Sequence, residues 1–357
     1  MVATILLGLF TVLFAYLAKY KNTKWGLKVS FSLIFIFLAL RYNFGNDYKS
    51  YLKAFIDINK YIQFDVFDKS NEFEVGWTIL YRIFRPLGFF VMIAVLALIN
   101  CLIYYRLIKK YVPVNYYWLA VFIYIFSPGF MLIHASAMRQ SLAILLFLFS
   151  IDYIYNKNTI RYFICIGLAS LIHTSALILL PFYLLGFINR KINITGGIIL
   201  ISIFISLFLF GKSINPVLNQ FIAIYFEKYQ IYQTALNLGT GLGVLYLSIL
   251  FLLILYYDRF QNKESALVFK IAIISFTFIP LSLLISLIGR VGMYFAPATI
   301  LVYPIILMNL KKTIYKTIFL TIFIFMTGYG FYTFFSDEGW KVAFGTYQTI
   351  LSAPNIF

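Results

Sequence analysis

The chain reads as all-α: a polytopic integral membrane protein with about twelve transmembrane helices, plus an amphipathic or re-entrant segment in its first outer loop. Three observations predict this. Of 357 residues, 62% are hydrophobic and 11% charged, with a mean hydropathy of +0.91. No soluble interior of that size hides so much apolar side chain. Apolar runs of about 20 residues recur along the whole length, each able to cross a hydrocarbon core of roughly 30 Å. Basic residues are sorted into alternate loops, the pattern that orients membrane helices.

Spans are expected near 2–18, 26–41, 88–107, 116–134, 138–155, 161–173, 174–188, 195–211, 241–257, 267–288, 290–309 and 314–335. The first lacks a basic leader and a small-residue cleavage site, so it reads as a retained helix. The stretch 73–87 is amphipathic and reads as surface-lying or re-entrant. In "LASLIHTSALILLPFYLL" two short apolar arms flank His173. An arm of about 13 residues rises only about 20 Å as a helix, which would hold His173 within the outer leaflet. No soluble domain, internal repeat or low-complexity run is seen. One transmembrane domain over 1–357 is expected, with outer loops 42–87 and 212–240 covering the active site.

With the N-terminus outside, the inner loops hold 17 of the 29 basic residues and three of the 12 acids, a net of +14. The outer face keeps 12 basic and 9 acidic residues, a net of +3. Both termini are therefore expected outside. The charge of +17 is an orientation code and not a nucleic-acid signal. Cys101 and Cys165 both lie in apolar runs, which argues against a disulfide framework or a thiolate metal site.

Against that sorting, Arg41, Arg139 and Arg290 each fall at the outer end of a span. A charge there costs a few kcal/mol unless it faces a cavity or partner. Snorkelling to the headgroups is the alternative, but three arginines on one side, level with His134 and His173, favour a functional layer. In "RYNFGNDYKSYLKAF", Gly45 permits a tight turn and places Asp47 beneath Arg41, among Tyr42, Tyr48 and Tyr51. "NEFEVGWTILYRIFRPLG" supplies Glu72, Glu74, Arg82 and Arg85 beside Trp77. Carboxylates among aromatic rings suit sugar binding. The bland reading, a solvated loop, is preferred for Asp57, Asp65 and Asp68. Asp47 and the two histidines lack metal-ligand spacing, so no metal is expected. No phosphate loop or dinucleotide fingerprint appears, and no cofactor is expected.

Five stretches in this order, "RYNFGNDYKSY", "EFEVGWTILYRIF", "SAMRQSLAILLFLFSI", "LIHTSALILLPFYLL" and "GRVGMYF", resemble the EpsG-like branch of the Wzy polysaccharide polymerases, over roughly 35–310. The resemblance implies a glycosyltransferase at the outer face of the bacterial cytoplasmic membrane. It would join repeat units carried on undecaprenyl pyrophosphate into O-antigen, capsule or exopolysaccharide. Its partners would be lipid-linked glycan donor and acceptor, membrane lipids, a chain-length regulator and a flippase. It carries over to Arg41, Asp47, Glu74, Arg139 with Gln140, His173, and Arg290 with Tyr294.

On that footing the arginines hold the pyrophosphate leaving group by bidentate pairing, with Arg85 and His134 as further substrate contacts. Asp47 and His173 are the candidate bases for the acceptor hydroxyl. Asp47 is narrowly favoured, because its loop is reachable from outside while His173 is expected to be locked among helices. The rival readings are a lipid-linked oligosaccharide flippase, which would show repeat symmetry, and another membrane transferase such as a glycan ligase or acyltransferase.

Overall fold

A computed structural model describes residues 1–60, 73–188, 263–282 and 286–352, with isolated positions at 195, 202 and 220. The spans expected at 195–211 and 241–257, the loop 212–240, and Asp65, Asp68 and Glu72 lie outside the described residues.

The described elements are overwhelmingly helical, and they start and stop where the sequence supplies a reason. α1 (Val2–Leu17) and α2 (Gly26–Ala39) flank the lysine-rich turn. β1 (Arg41–Tyr42), α3 (Tyr48–Lys60) and α4 (Val75–Phe84) build the first outer loop. α5 (Phe89–Tyr111) is the long apolar run that follows. The run at 116–134 is not one helix but two, α6 (Tyr117–Phe126) and α7 (Met131–Ser136). Pro128 has no N–H to continue the ladder, and it drives Ser127 into an extended conformation (ψ 107°).

α8 (Met138–Tyr155) and α9 (Thr159–Ile172) come next. The arm after His173 is a 3₁₀ segment, Thr174–Gly186, carrying Pro181. α10 (Lys263–Ser282), α11 (Ser286–Phe295), α12 (Ala298–Asn309), α13 (Thr313–Ser336), α14 (Glu338–Phe344) and β2 (Gln348–Thr349) complete the chain.

By length and composition three of the described helices can cross a membrane: α5, α8 and α13. A fourth is added if the bent pair Gly289–Phe295 and Ala298–Asn309 counts as one span. The other apolar helical stretches, including Val2–Leu17, Thr159–Ile172 and the part Ser265–Phe278 of α10, run 10–17 residues, short of the roughly 20 that a bilayer core requires. The helical membrane class holds; among the described residues three to four spans meet the length and composition of a crossing, and the expected twelve are not confirmed.

The chain divides into two compact units. The first comprises Met1–Asp152, Thr159–Leu180 and Tyr303–Phe357. Here α1 lies on α2, and Ser30 Oγ donates to the Thr11 carbonyl across them at 2.6 Å. The C-terminal segment straps the first outer loop. β2 pairs antiparallel with β1, with Arg41 opposite Thr349. Gly45 N–H donates to Ala343 O (3.0 Å), and Tyr347 stacks on Phe37 at 4.1 Å. The Met1 ammonium reaches Gly345 O at 2.9 Å. Met1, the segment 343–349 and the first loop therefore pack together. Gly45 has φ +125°, and a Cβ there would lie 3.1 Å from Ser136 Cα, so glycine lets the turn dock on α7. Well along α5 from this loop, Arg106 and Lys110 close on Asp152.

The second unit comprises Tyr153–Asn158 and Pro181–Val302. In it Phe278 stacks on Phe295 (5.6 Å), Phe182 meets Phe295 at 4.6 Å, and Lys270 Nζ donates to Leu185 O at 3.1 Å.

Candidate active site

The cluster with the most chemistry sits where α4 begins, α8 begins and α9 ends. Glu74 is the residue before α4, and its carboxylate serves three donors. Oε2 accepts from Arg139 Nη1 at 2.5 Å; Oε1 accepts from His173 Nδ1 at 3.1 Å and from Thr174 N–H at 3.2 Å. The side chains are 20%, 24% and 18% exposed for Glu74, Arg139 and His173, so the group is sheltered yet reachable. Arg139 also donates from Nε to the Tyr51 hydroxyl at 3.5 Å, and its guanidinium lies 4.7 Å over the Phe73 ring. Phe73, Tyr51 and Trp77 form an aromatic wall beneath it, with centroids 5.9 and 5.3 Å from Tyr51.

Electrostatics fix the protonation pattern. Partial burial pushes the Glu74 carboxyl upward, but the His173 hydrogen bond and the Arg139 charge outweigh it and hold it down to about 2. A depressed carboxyl stabilises the folded state above its unfolded value of 4.5 and loses that contribution as pH falls toward 2. Glu74 is thus ionised at neutral pH and accepts from both partners. In the neutral form of the imidazole this hydrogen bond uses a proton on Nδ1, and Nε2 then carries the lone pair. Nε2 bonds to no described residue. A carboxylate fixing the tautomer of a histidine whose other nitrogen is open is the arrangement of a positioned general base.

α4 approaches α9 closely because Gly76 has no side chain. A Cβ there would lie 2.7 Å from Leu171 O and 2.8 Å from its carbonyl carbon. Glycine costs a helix about 1 kcal/mol against alanine, so its presence near the start of this short helix marks a close approach. Gly76→Val is expected to push α4 off α9 and part Glu74 from His173. Displacement of about 1 Å at such a site is expected to cut turnover roughly 100-fold. Polymer formation at matched protein abundance measures it, and near-normal polymer would remove α4–α9 contact from the argument.

The expected single layer of arginines and histidines divides into separate clusters. Arg139 and His173 meet at Glu74. His173 is not locked among helices: α9 stops at Ile172, the backbone turns into the 3₁₀ segment, and the ring emerges at that joint. Arg41 does not pair with Asp47. Its guanidinium turns inward to the carbonyls of Leu38 (2.7 Å) and Ala135 (3.4 Å), and it is 3% exposed. Asp47, half-buried, donates its own N–H to Ser136 Oγ at 3.2 Å, and its carbonyl accepts from Tyr51 N–H, one turn into α3. His134 is buried against the Tyr104 hydroxyl. Gln140 is buried beside Arg139 on α8, and Arg85 is exposed at the far end of α4. Arg290 and Tyr294 lie on α11 in the second unit, Tyr294 fully buried.

Sequence reasoning missed Phe73, Thr174 and Gly76. Only Gly76 carried a local signal, a glycine inside an amphipathic helix.

A family model described as the EpsG family matches residues 24–349, most of the chain. No curated protein and no solved structure matches the chain.

Proposed function

The chain belongs to the EpsG family of polysaccharide-biosynthesis membrane proteins, and we propose that it polymerises glycan repeat units carried on a lipid pyrophosphate, at the outer face of the bacterial cytoplasmic membrane. The observation that carries this reading is Glu74 shared between Arg139 and His173. It joins a cation suited to an anionic leaving group with a base suited to a sugar hydroxyl.

In the proposed reaction, His173 Nε2 accepts the proton of the acceptor hydroxyl as that oxygen attacks the donor's anomeric carbon. A new C–O bond forms, the bond from the anomeric carbon to the pyrophosphate oxygen breaks, and the pyrophosphate leaves with the electron pair. Arg139 commits Nη1 and Nε, Nη2 bonds to no other described residue, and that edge takes the charge growing on the leaving oxygen. Glu74 orients His173 and stabilises the imidazolium. The partly exposed Phe73 ring offers an apolar surface to the sugar, and the buried Trp77 supports the cluster it packs on. Asp47, one turn from Tyr51, aligns the acceptor, and Arg290 and Tyr294, in the second unit, are assigned to substrate binding by the resemblance alone. Donor and acceptor on undecaprenyl pyrophosphate, and a chain-length regulator and flippase as partners, belong to the same proposal.

The test is reconstitution in liposomes with synthetic undecaprenyl-pyrophosphate repeat units, read as a ladder on a gel. Wild type is expected to ladder. His173→Gln is expected to lose roughly 100-fold or more in single turnover at matched donor binding, and Asp47→Asn less. Movement of the lipid-linked unit across the bilayer with no ladder would make the protein a flippase. Loss confined to Asp47→Asn would exchange the two roles.

A further inference from the structure

A second polar group is buried in the first unit, on another face of α8 from Arg139. Met138, Ser141, Leu142 and Leu145 follow the i, i+3, i+4, i+7 stripe. They line a cavity of about 20 Å³ together with Arg41, Asn100 and His134.

Three features of its lining converge. First, the Arg41 charge is not neutralised. The residue is 3% exposed, its two hydrogen bonds go to carbonyls, and among the described residues no carboxylate pairs with it. A buried charge in that condition is costly. Second, the lining is rich in donors. Arg41 Nε and His134 Nε2 are both buried without a hydrogen-bond partner in the protein. The Tyr104 hydroxyl has His134 Nδ1 as its partner, at 3.3 Å. Among the described residues the phenol O–H has no other acceptor, so donation to Nδ1 is the arrangement that satisfies it; that puts the imidazole proton on Nε2 and makes this nitrogen a second donor. Asn100 spends Oδ1 on the Tyr124 hydroxyl at 2.7 Å, so its free capacity is the donor NH₂. The Ser141 hydroxyl rotates to suit. Third, the space admits one water-sized body, and the other lining residues are almost all apolar, which strengthens any charge interaction inside.

We propose that this cavity is a built site for one monovalent anion of halide size, held by Arg41 and His134 and supported by Asn100 and Ser141. Water would accept from the same donors but would leave the guanidinium charge standing. A pyrophosphate is too large for the space. The bound ion ties Arg41, and with it the first outer loop, to α7 and α8. This inference does not rest on the polymerase reading.

The test uses the full-length protein in detergent. Thermal unfolding is followed in sodium chloride and sodium bromide against sodium gluconate at equal ionic strength. The midpoint is expected to climb with halide concentration by about 2 °C or more, and to stay flat in gluconate. His134→Phe and Ser141→Ala are expected to move the halide response at least tenfold higher in concentration. Crystals grown in bromide are expected to show anomalous density beside Arg41 Nε and His134 Nε2, a readout that needs no variant. Equal midpoints in halide and gluconate would overturn the proposal, as would bromide density elsewhere only. So would stabilisation by inorganic pyrophosphate in gluconate that His134→Phe abolishes, which would assign the cavity to a phosphate ligand.

Discussion

On the proposed polymerase reading, Glu74→Gln is expected to lower turnover roughly 100- to 10,000-fold, the largest loss from any single isosteric change. Glutamine keeps the shape of the side chain and still offers an oxygen to His173 Nδ1. It removes the charge that Oε2 presents to Arg139 at 2.5 Å and that would stabilise an imidazolium. The amide also presents an NH₂ to one of two donors, so either Arg139 or the His173–Thr174 pair faces a repelling group. Part of the loss will be structural, because a charged partner left without its mate costs more than the roughly 1–3 kcal/mol of a neutral group. A double-mutant cycle separates the two. If the pair acts as a unit, Glu74→Gln with Arg139→Gln together should cost much less than the sum of the single changes. Abundance in the membrane and thermal midpoint give the structural share, and single-turnover polymerisation gives the chemical one. Near wild-type laddering by Glu74→Gln would remove Glu74 from the mechanism and return the base to Asp47.

Arg139→Ala is expected to abolish polymer, and Arg139→Lys to restore no more than a few per cent. The guanidinium acts in three directions at once: Nη1 to Glu74, Nε to the Tyr51 hydroxyl and its flat face over Phe73. Lysine keeps the charge and reaches a similar depth, but an ammonium cannot hold that fork, nor offer a remaining planar edge to a pyrophosphate. The comparison therefore distinguishes charge from geometry. Loss of activity in both variants, with protein levels near wild type, is the expected pattern. If lysine works as well as arginine, charge alone suffices. If alanine works too, the residue merely snorkels.

The sequence by itself determined the class and much of the inventory. Apolar runs are additive, local quantities, and the helical membrane character follows from them; the basic loop residues carry the expectation that both termini share one side. Breakers were legible as well: "SPGF" carries the proline that splits 116–134 into α6 and α7. The length of each helix was less so, because hydropathy counts apolar residues and does not register where the backbone bends or tightens into a 3₁₀ turn. Asp47, Glu74, Arg139 and His173 were all named from residue type and position. Their grouping was not, since Glu74 meets Arg139 across 65 residues and His173 across 99. Depth along a span is a one-dimensional coordinate. It placed three arginines and two histidines at one level but left their rotation about each helix axis open. Tertiary packing set that rotation: Gly76 against Leu171 draws α4 onto α9, and Gly45 against Ser136 docks the first loop on α7. One apparent layer thereby became a half-buried Glu74–Arg139–His173 cluster and a buried Arg41–His134 cavity.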